Sequence, residues 1–138
     1  MYERLIQYFE QYFSLSKQDK QLIRYHSYIQ PFQQGELLLE AGKVPEFVGF
    51  VLSGEFRYFV QQNNGQEVPA ELVREFNFVP GLIDLEMNLA SAATIKAAAP
   101  SVVAIIDKAS MEVFSDEVEY WDPFIEELKE AHYAVKQL

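Results

Sequence analysis

The chain has 138 residues and a mass of 16.0 kDa, and 49% of it is apolar, with 11 Phe, 8 Tyr and one Trp. That is one ordinary domain with ample core material, which excludes a disordered chain. Eleven Lys and Arg against 21 Asp and Glu leave a net charge of −10, a surface that repels a phosphate backbone, and the absence of cysteine excludes disulfide frameworks and thiolate metal sites.

No apolar run approaches the ~18 residues that span a bilayer. Glu3, Arg4 and Gln7 interrupt the N-terminus, so it does not read as a signal peptide. A single cytoplasmic domain that binds neither membrane nor nucleic acid by itself is the expectation.

Residues 1–27 read as helical. Leu5, Ile6, Phe9, Tyr12 and Phe13 recur at three- and four-residue spacings, one face of a helix. Ser16 with Asp19 three residues later predicts the start of a second helix through a capping box, with Asp where Glu or Gln is usual. Leu22, Ile23 and His26 face inward from it. From Tyr28 the texture becomes β. The predicted strands are Tyr28–Phe32, Glu36–Glu40, Phe47–Leu52, Glu55–Gln61, Glu67–Val73, Ala93–Ala97 and Val102–Asp107, punctuated by Gly35, Gly42, Gly54 and Asn63-Asn64-Gly65. Phe56, Tyr58 and Val60 alternate with Arg57, Phe59 and Gln61, and Phe59 on the polar side predicts a strand covered on both faces. Asn64-Gly65 predicts a type I′ hairpin with positive φ at both central residues. Between Val79 and Asn88, behind Pro80 and Gly81, there is room for a turn or two of helix.

After Ser110 the pattern is helical again. Met111, Val113 and Phe114 give one short turn, and Asp122-Pro123 reads as an N-cap and first-residue pair. Phe124, Leu128, Ala131, Val135 and Leu138 then follow at spacings of four, three, four and three, a heptad seam suited to a second copy of the chain. The seam is still running at Leu138, so the protein either ends on a helix or continues beyond it. The divisions are 1–27 for the N-terminal helices, 28–115 for the β region and 119–138 for a dimerisation helix.

Three segments carry a resemblance. They are Phe32-Gln33-Gln34-Gly35-Glu36-Leu37-Leu38-Leu39-Glu40-Ala41-Gly42, then Phe50-Val51-Leu52-Ser53-Gly54, then Gly65-Gln66-Glu67, with Ala92-Ala93-Thr94-Ile95-Lys96-Ala97 matching more loosely. Together they resemble the cyclic-nucleotide-binding domain of the catabolite-activator and Fnr-like regulators over residues 28–115. The resemblance implies a mainly β fold with flanking α: a double-stranded β-helix, or jelly roll, of eight strands between N-terminal helices and a long C-terminal helix that pairs in a homodimer. It also implies a phosphate-binding cassette at Pro80–Thr94, with ligand positions Gly81, Leu82, Ile83, Ser91, Ala92 and Ala93.

The cassette departs from the family pattern. Leu82 stands where the family has the ribose-binding glutamate, and Ser91 where it has the phosphate-binding arginine. No Lys or Arg lies between Arg74 and Lys96, and Asp84 and Glu86 add negative charge. A charged hydrogen bond is worth ~1.5–3 kcal/mol, so losing both partners removes ~3–6 kcal/mol, or ~10²–10⁴ in affinity. The expectation is a non-catalytic regulatory or sensor domain, part of a transcription regulator, with weak or no binding of cyclic AMP or cyclic GMP.

Two other readings are a true receptor with a rearranged cassette and a small β-roll enzyme. Against the enzyme, His26 and His132 lie at opposite ends of the sequence, so no cofactor, metal site or catalytic residue is assigned. Asp84 and Glu86, two apart, do not face each other on a helix. Ser91 and the Gly81 loop could serve a less anionic small-molecule effector. The competing reading is a loop closed by Leu82, Leu85 and Met87. Asp116, Glu117, Glu119 and Asp122 read as a solvated acidic face.

Overall fold

A computed structural model describes residues 2–75, 77–79, 85 and 87–137, the last seven of these in their backbone alone. The helices are α1 (Tyr2–Glu10), α2 (Lys17–His26), α3 (Lys108–Glu117) and α4 (Trp121–Gln137). The strands are β1 (Tyr28–Phe32), β2 (Leu37–Leu39), β3 (Phe47–Ser53), β4 (Glu55–Gln61), β5 (Glu67–Arg74), β6 (Phe78–Val79), β7 (Ala93–Ala97) and β8 (Ser101–Asp107). They form two antiparallel four-stranded sheets, ordered β1-β8-β3-β6 and β2-β7-β4-β5. This is the expected roll.

Two cores lie on opposite sides of the first sheet. Phe32, Val51, Phe56, Tyr58, Val73, Ile95, Val103 and Ile105 fill the space between the sheets. Val48, Phe50, Leu52, Ala104 and Ile106 point the other way and pack with α1, α3 and α4. β3 and β8 are therefore covered on both faces, which is why they read as continuous apolar runs without alternation. Phe9 is the hub of the second core. Its ring meets Phe50, Trp121 and Phe124 at 5.1–5.4 Å between centroids, edge to face.

The local signals fare unevenly. The capping box is complete: Ser16 Oγ accepts from the Asp19 amide (3.0 Å) and Asp19 Oδ2 accepts from the Ser16 amide (2.9 Å). Of the predicted inward face of the first helix, Tyr12 lies past the end of α1 and is partly exposed, although its ring meets Phe124 at 5.0 Å. The hairpin between β4 and β5 forms, but its turn is not type I′. Among Asn63, Asn64 and Gly65 only Gly65 has positive φ (83°), and the Gly65 amide donates to the Gln62 carbonyl (2.9 Å). Asn64 instead accepts the Gln66 amide on its side chain (2.9 Å), which removes its need for the left-handed region. β4 is not covered on both faces by protein layers: Phe59 is half-buried under the Lys96 ammonium, 5.0 Å from the ring centroid.

The short strand β6 falls where no strand was predicted. α3 is ten residues long rather than one turn, and it starts at Lys108 because Asp107, the end of β8, caps it by accepting the Ser110 amide (2.8 Å). α4 starts two residues earlier than predicted, after Tyr120 at φ 68°. Asp122 is thus inside its first turn and accepts the Ser115 hydroxyl (2.7 Å) instead of capping.

The predicted seam on α4 also needs correction. Phe124 (2% exposed) and Leu128 (5%) pack into the protein's own second core, so they are not a free face for a second copy. The side chains of Ala131 and Val135, and Leu138 altogether, lie outside the described residues.

Candidate ligand site at the cassette strand

β7 runs antiparallel to β4 with Phe56 opposite Ala97, Tyr58 opposite Ile95 and Val60 opposite Ala93. Opposed residues share a face, so these six side chains form the inward surface of the second sheet. Arg57, Phe59, Thr94 and Lys96 alternate onto the outer side. Lys96 is engaged there with Glu67 (3.6 Å). The cations of β4 and β7 therefore face away from the roll's interior.

Ser91, expected where a cyclic phosphate would be gripped, is buried and its hydroxyl is occupied. It donates to the Ala93 carbonyl (2.8 Å) and accepts the Ala93 amide (3.2 Å), while its main chain pairs with Gly42 (2.9 Å) and Lys43 (2.8 Å). Thr94, also buried, accepts the Ala41 amide on its hydroxyl (3.0 Å). Ser91 and Thr94 together staple the Gly42 turn to β7. Lys43, bonded to Ser91 through the backbone, is exposed, and an exposed ammonium is a screened, mobile charge. Ala92 is exposed and Ala93 half-buried at the start of the strand.

Gly81, Leu82 and Ile83, with Pro80, Asp84 and Glu86, lie outside the described residues. After them Leu85 is buried in helical backbone, Met87 is 65% exposed, and Asn88 takes the left-handed φ of 57° that ends a helix. Of the apolar side chains expected to close this loop, Leu85 is buried and Met87 is not. Leu85 faces a cleft of about 290 Å³ that it shares with Met111, Ser115, Trp121 and Ile125 of α3 and α4.

One residue whose significance the sequence pattern did not reveal stands on the same inward surface. Tyr58 is buried with its hydroxyl unpartnered, and burial together with the nearby Glu71 carboxylate pushes that hydroxyl's pKa well above its ordinary value. The signal for Tyr58 was present: a polar-tipped residue at an inward position of an alternating strand. Elsewhere, His26 packs as a helix histidine against Phe114, with rings 6.0 Å apart. Among the described residues no three carboxylate or imidazole groups are placed to hold a metal, and no helix is long and apolar enough to cross a membrane.

The family model described as the cyclic nucleotide-binding domain matches residues 29–117. The chain belongs to this family. This cyclic nucleotide-binding domain also superimposes on solved structures of low sequence identity, which share its fold. Catabolite activator protein from Thermus thermophilus matches with TM-score 0.73 at 17% identity, over 91% of this chain and 57% of that one. The sensor domain of the transcriptional regulator DNR from Pseudomonas aeruginosa matches with TM-score 0.72 at 19% identity, over 99% and 91%. The regulatory subunit of a cAMP-independent protein kinase A from Trypanosoma brucei, a triple mutant bound to cAMP in the A site, matches with TM-score 0.78 at 18% identity, over 100% and 51%. The domain thus spans little more than half the length of the activator and the kinase subunit. A search of curated proteins gave no significant match.

Proposed function

We propose that this cyclic nucleotide-binding domain is a non-catalytic cytoplasmic sensor module of a transcription regulator, and that it does not bind cyclic AMP or cyclic GMP tightly. The observation that carries the reading is the occupied hydroxyl of Ser91. By the resemblance it stands at the family's arginine position, yet its hydroxyl bonds only Ala93 while its main chain holds the Gly42 turn. A phosphodiester placed there would meet no guanidinium, in a chain of net charge −10. The Trypanosoma brucei kinase subunit supports the reading by analogy. It is described as cAMP-independent, and one of the three changes in the mutant bound to cAMP replaces a threonine with arginine. Leu85, against the cleft between α3 and α4, supplies a route from the cassette to the C-terminal helices, and a homodimer through α4 beyond Leu128 is the output we assign to them.

Isothermal titration with cyclic AMP and cyclic GMP is the test, with no binding tighter than ~10 µM (~7 kcal/mol) expected for the wild type. The double variant Leu82→Glu with Ser91→Arg is expected to gain ~10²–10⁴ in affinity for cyclic AMP. Wild-type binding below that threshold overturns the proposal.

A further inference from the structure

The outer face of the second sheet carries a charge that the fold leaves unmatched. Arg57 and Lys96 stand directly opposite each other on β4 and β7, and like charges so placed oppose strand pairing. Lys96 leans away over the Phe59 ring, 5.0 Å from its centroid, and reaches Glu67 at 3.6 Å. Arg57 has no such exit. It is half-buried between Lys96 and Leu72, and its guanidinium makes no hydrogen bond or ion pair among the described residues. A planar fork of five donors therefore stands unused on this face.

The surroundings are apolar. Phe59 and Leu72 are half-buried, Leu37 opposite Lys96 is 50% exposed, and Pro69, past a bulge in β5, is exposed opposite Phe59. The helices pack on the first sheet, so no described helix covers this face. Its charge also runs against that of the molecule. The outward charged residues of β4, β5 and β7 are Arg57, Arg74 and Lys96 against Glu55 and Glu67, in a chain of net charge −10. Glu55 is taken by Arg74 (3.7 Å) and Glu67 by Lys96, which leaves the Arg57 charge over.

Charge complementarity selects an anion here, and the charge of the whole chain limits its size. A nucleic acid brings many phosphates into the field of an acidic protein. A short segment with a few carboxylates does not. One carboxylate fits the guanidinium fork through two parallel bonds. We propose that the outer face of β4, β5 and β7 docks a short acidic segment of a partner protein. A carboxylate of that segment sits on Arg57, and an apolar side chain lies against Phe59 and Leu72. This face lies across the sheet from the roll's interior, so the contact does not depend on what the roll binds.

The test is titration of the full nitrogen-labelled chain with blocked hexapeptides, followed through backbone amide shifts. A peptide of alternating glutamate and leucine is expected to bind at ~0.1–1 mM in low salt and to shift amides of β4, β5 and β7. Replacing its leucines with serine should weaken it several-fold, and ~0.5 M salt about tenfold. An alternating lysine and leucine peptide, and an oligothymidylate of the same length, should bind at least about tenfold more weakly. Arg57→Gln should weaken the glutamate peptide about tenfold. It should leave the melting temperature unchanged or higher, because it relieves the opposition to Lys96. Affinity unchanged by Arg57→Gln, shifts confined to other elements, or equal binding of the lysine peptide or the oligothymidylate overturns the proposal. So does an Arg57→Gln melting temperature lowered by more than about 5 °C, which would make Arg57 a structural residue. Self-association that Arg57→Gln abolishes would make a second copy the occupant and overturns it as well.

Discussion

At position 54 the backbone leaves no room for a side chain. Gly54 turns the chain from β3 to β4 at φ 87°, and a Cβ there would fall on the Ser101 side chain and the Pro100 carbonyl. Ser101 cannot yield, because its hydroxyl accepts the Glu55 amide (3.1 Å) and donates to the Ala99 carbonyl (2.7 Å). Left-handed strain and loss of that link add, so Gly54→Ala should cost about 2–4 kcal/mol in urea unfolding. A loss below about 0.5 kcal/mol would mean that the corner relaxes. Gly54 was legible as punctuation because a lone glycine between two apolar runs marks a corner. Tyr58 and Glu71 were not singled out, because their meaning depends on which residues a bulge in β5 sets opposite each other, and register is not written in one strand. Ser91 was found by its place in a motif, but its engagement with Ala93 depends on the turn geometry that only the folded loop supplies.

For whole elements, strong periodicity and long apolar runs carried the prediction. α1, α2 and seven of the eight strands among the described residues were visible in this way. β6 was missed because two residues cannot show a period. The start of α3 was missed because Asp107 serves both as the end of a strand and as a cap, and strand propensity masked the cap. The seam on α4 shows a deeper limit. Phe124 and Leu128 fit a heptad, but Phe9 of α1 and Phe13 in the turn after it meet the same face, and burial within one chain has the same spacing as burial between two. Position along α4 therefore decides what a charge does. Leu128→Glu should unfold the domain, since it places a carboxylate in the core. If the chain pairs through α4 beyond Leu128 as proposed, Val135→Glu should leave the melting temperature intact and shift the sedimenting species from dimer to monomer. A Val135→Glu protein of unchanged mass would exclude α4 beyond Leu128 as the dimer contact.

For the molecule as a whole, the buried tyrosines set an alkaline limit. Tyr8 in the helical core and Tyr58 in the roll are both held well above the ordinary value of 10.0, in each case chiefly by burial, with Tyr12 adding to the first and Glu71 to the second. Above pH 10 the unfolded chain gives up these protons while the folded chain keeps them. The folded state then binds more protons, so its stability is full below pH 10 and falls as pH rises past it. Each tyrosine contributes a slope of about 1.4 kcal/mol per pH unit. Urea midpoints between pH 9 and 12 should decline accordingly, and Tyr58→Phe should remove about half of the tyrosine slope. A flat profile would mean that both phenols ionise inside the fold.

The sheet β1-β8-β3-β6 belongs to two interiors at once. Val51 and Val103 line one, while Val48, Phe50 and Ala104 line the other, one residue away along the same strands. It works as a party wall between two rooms, with no insulation inside it. A guest that swells the roll, or a residue that empties it, must shift the β3 backbone and so tilt the floor on which Phe9 and Trp121 stand. In such a build, the tenants of one room learn at once when furniture is moved in the next.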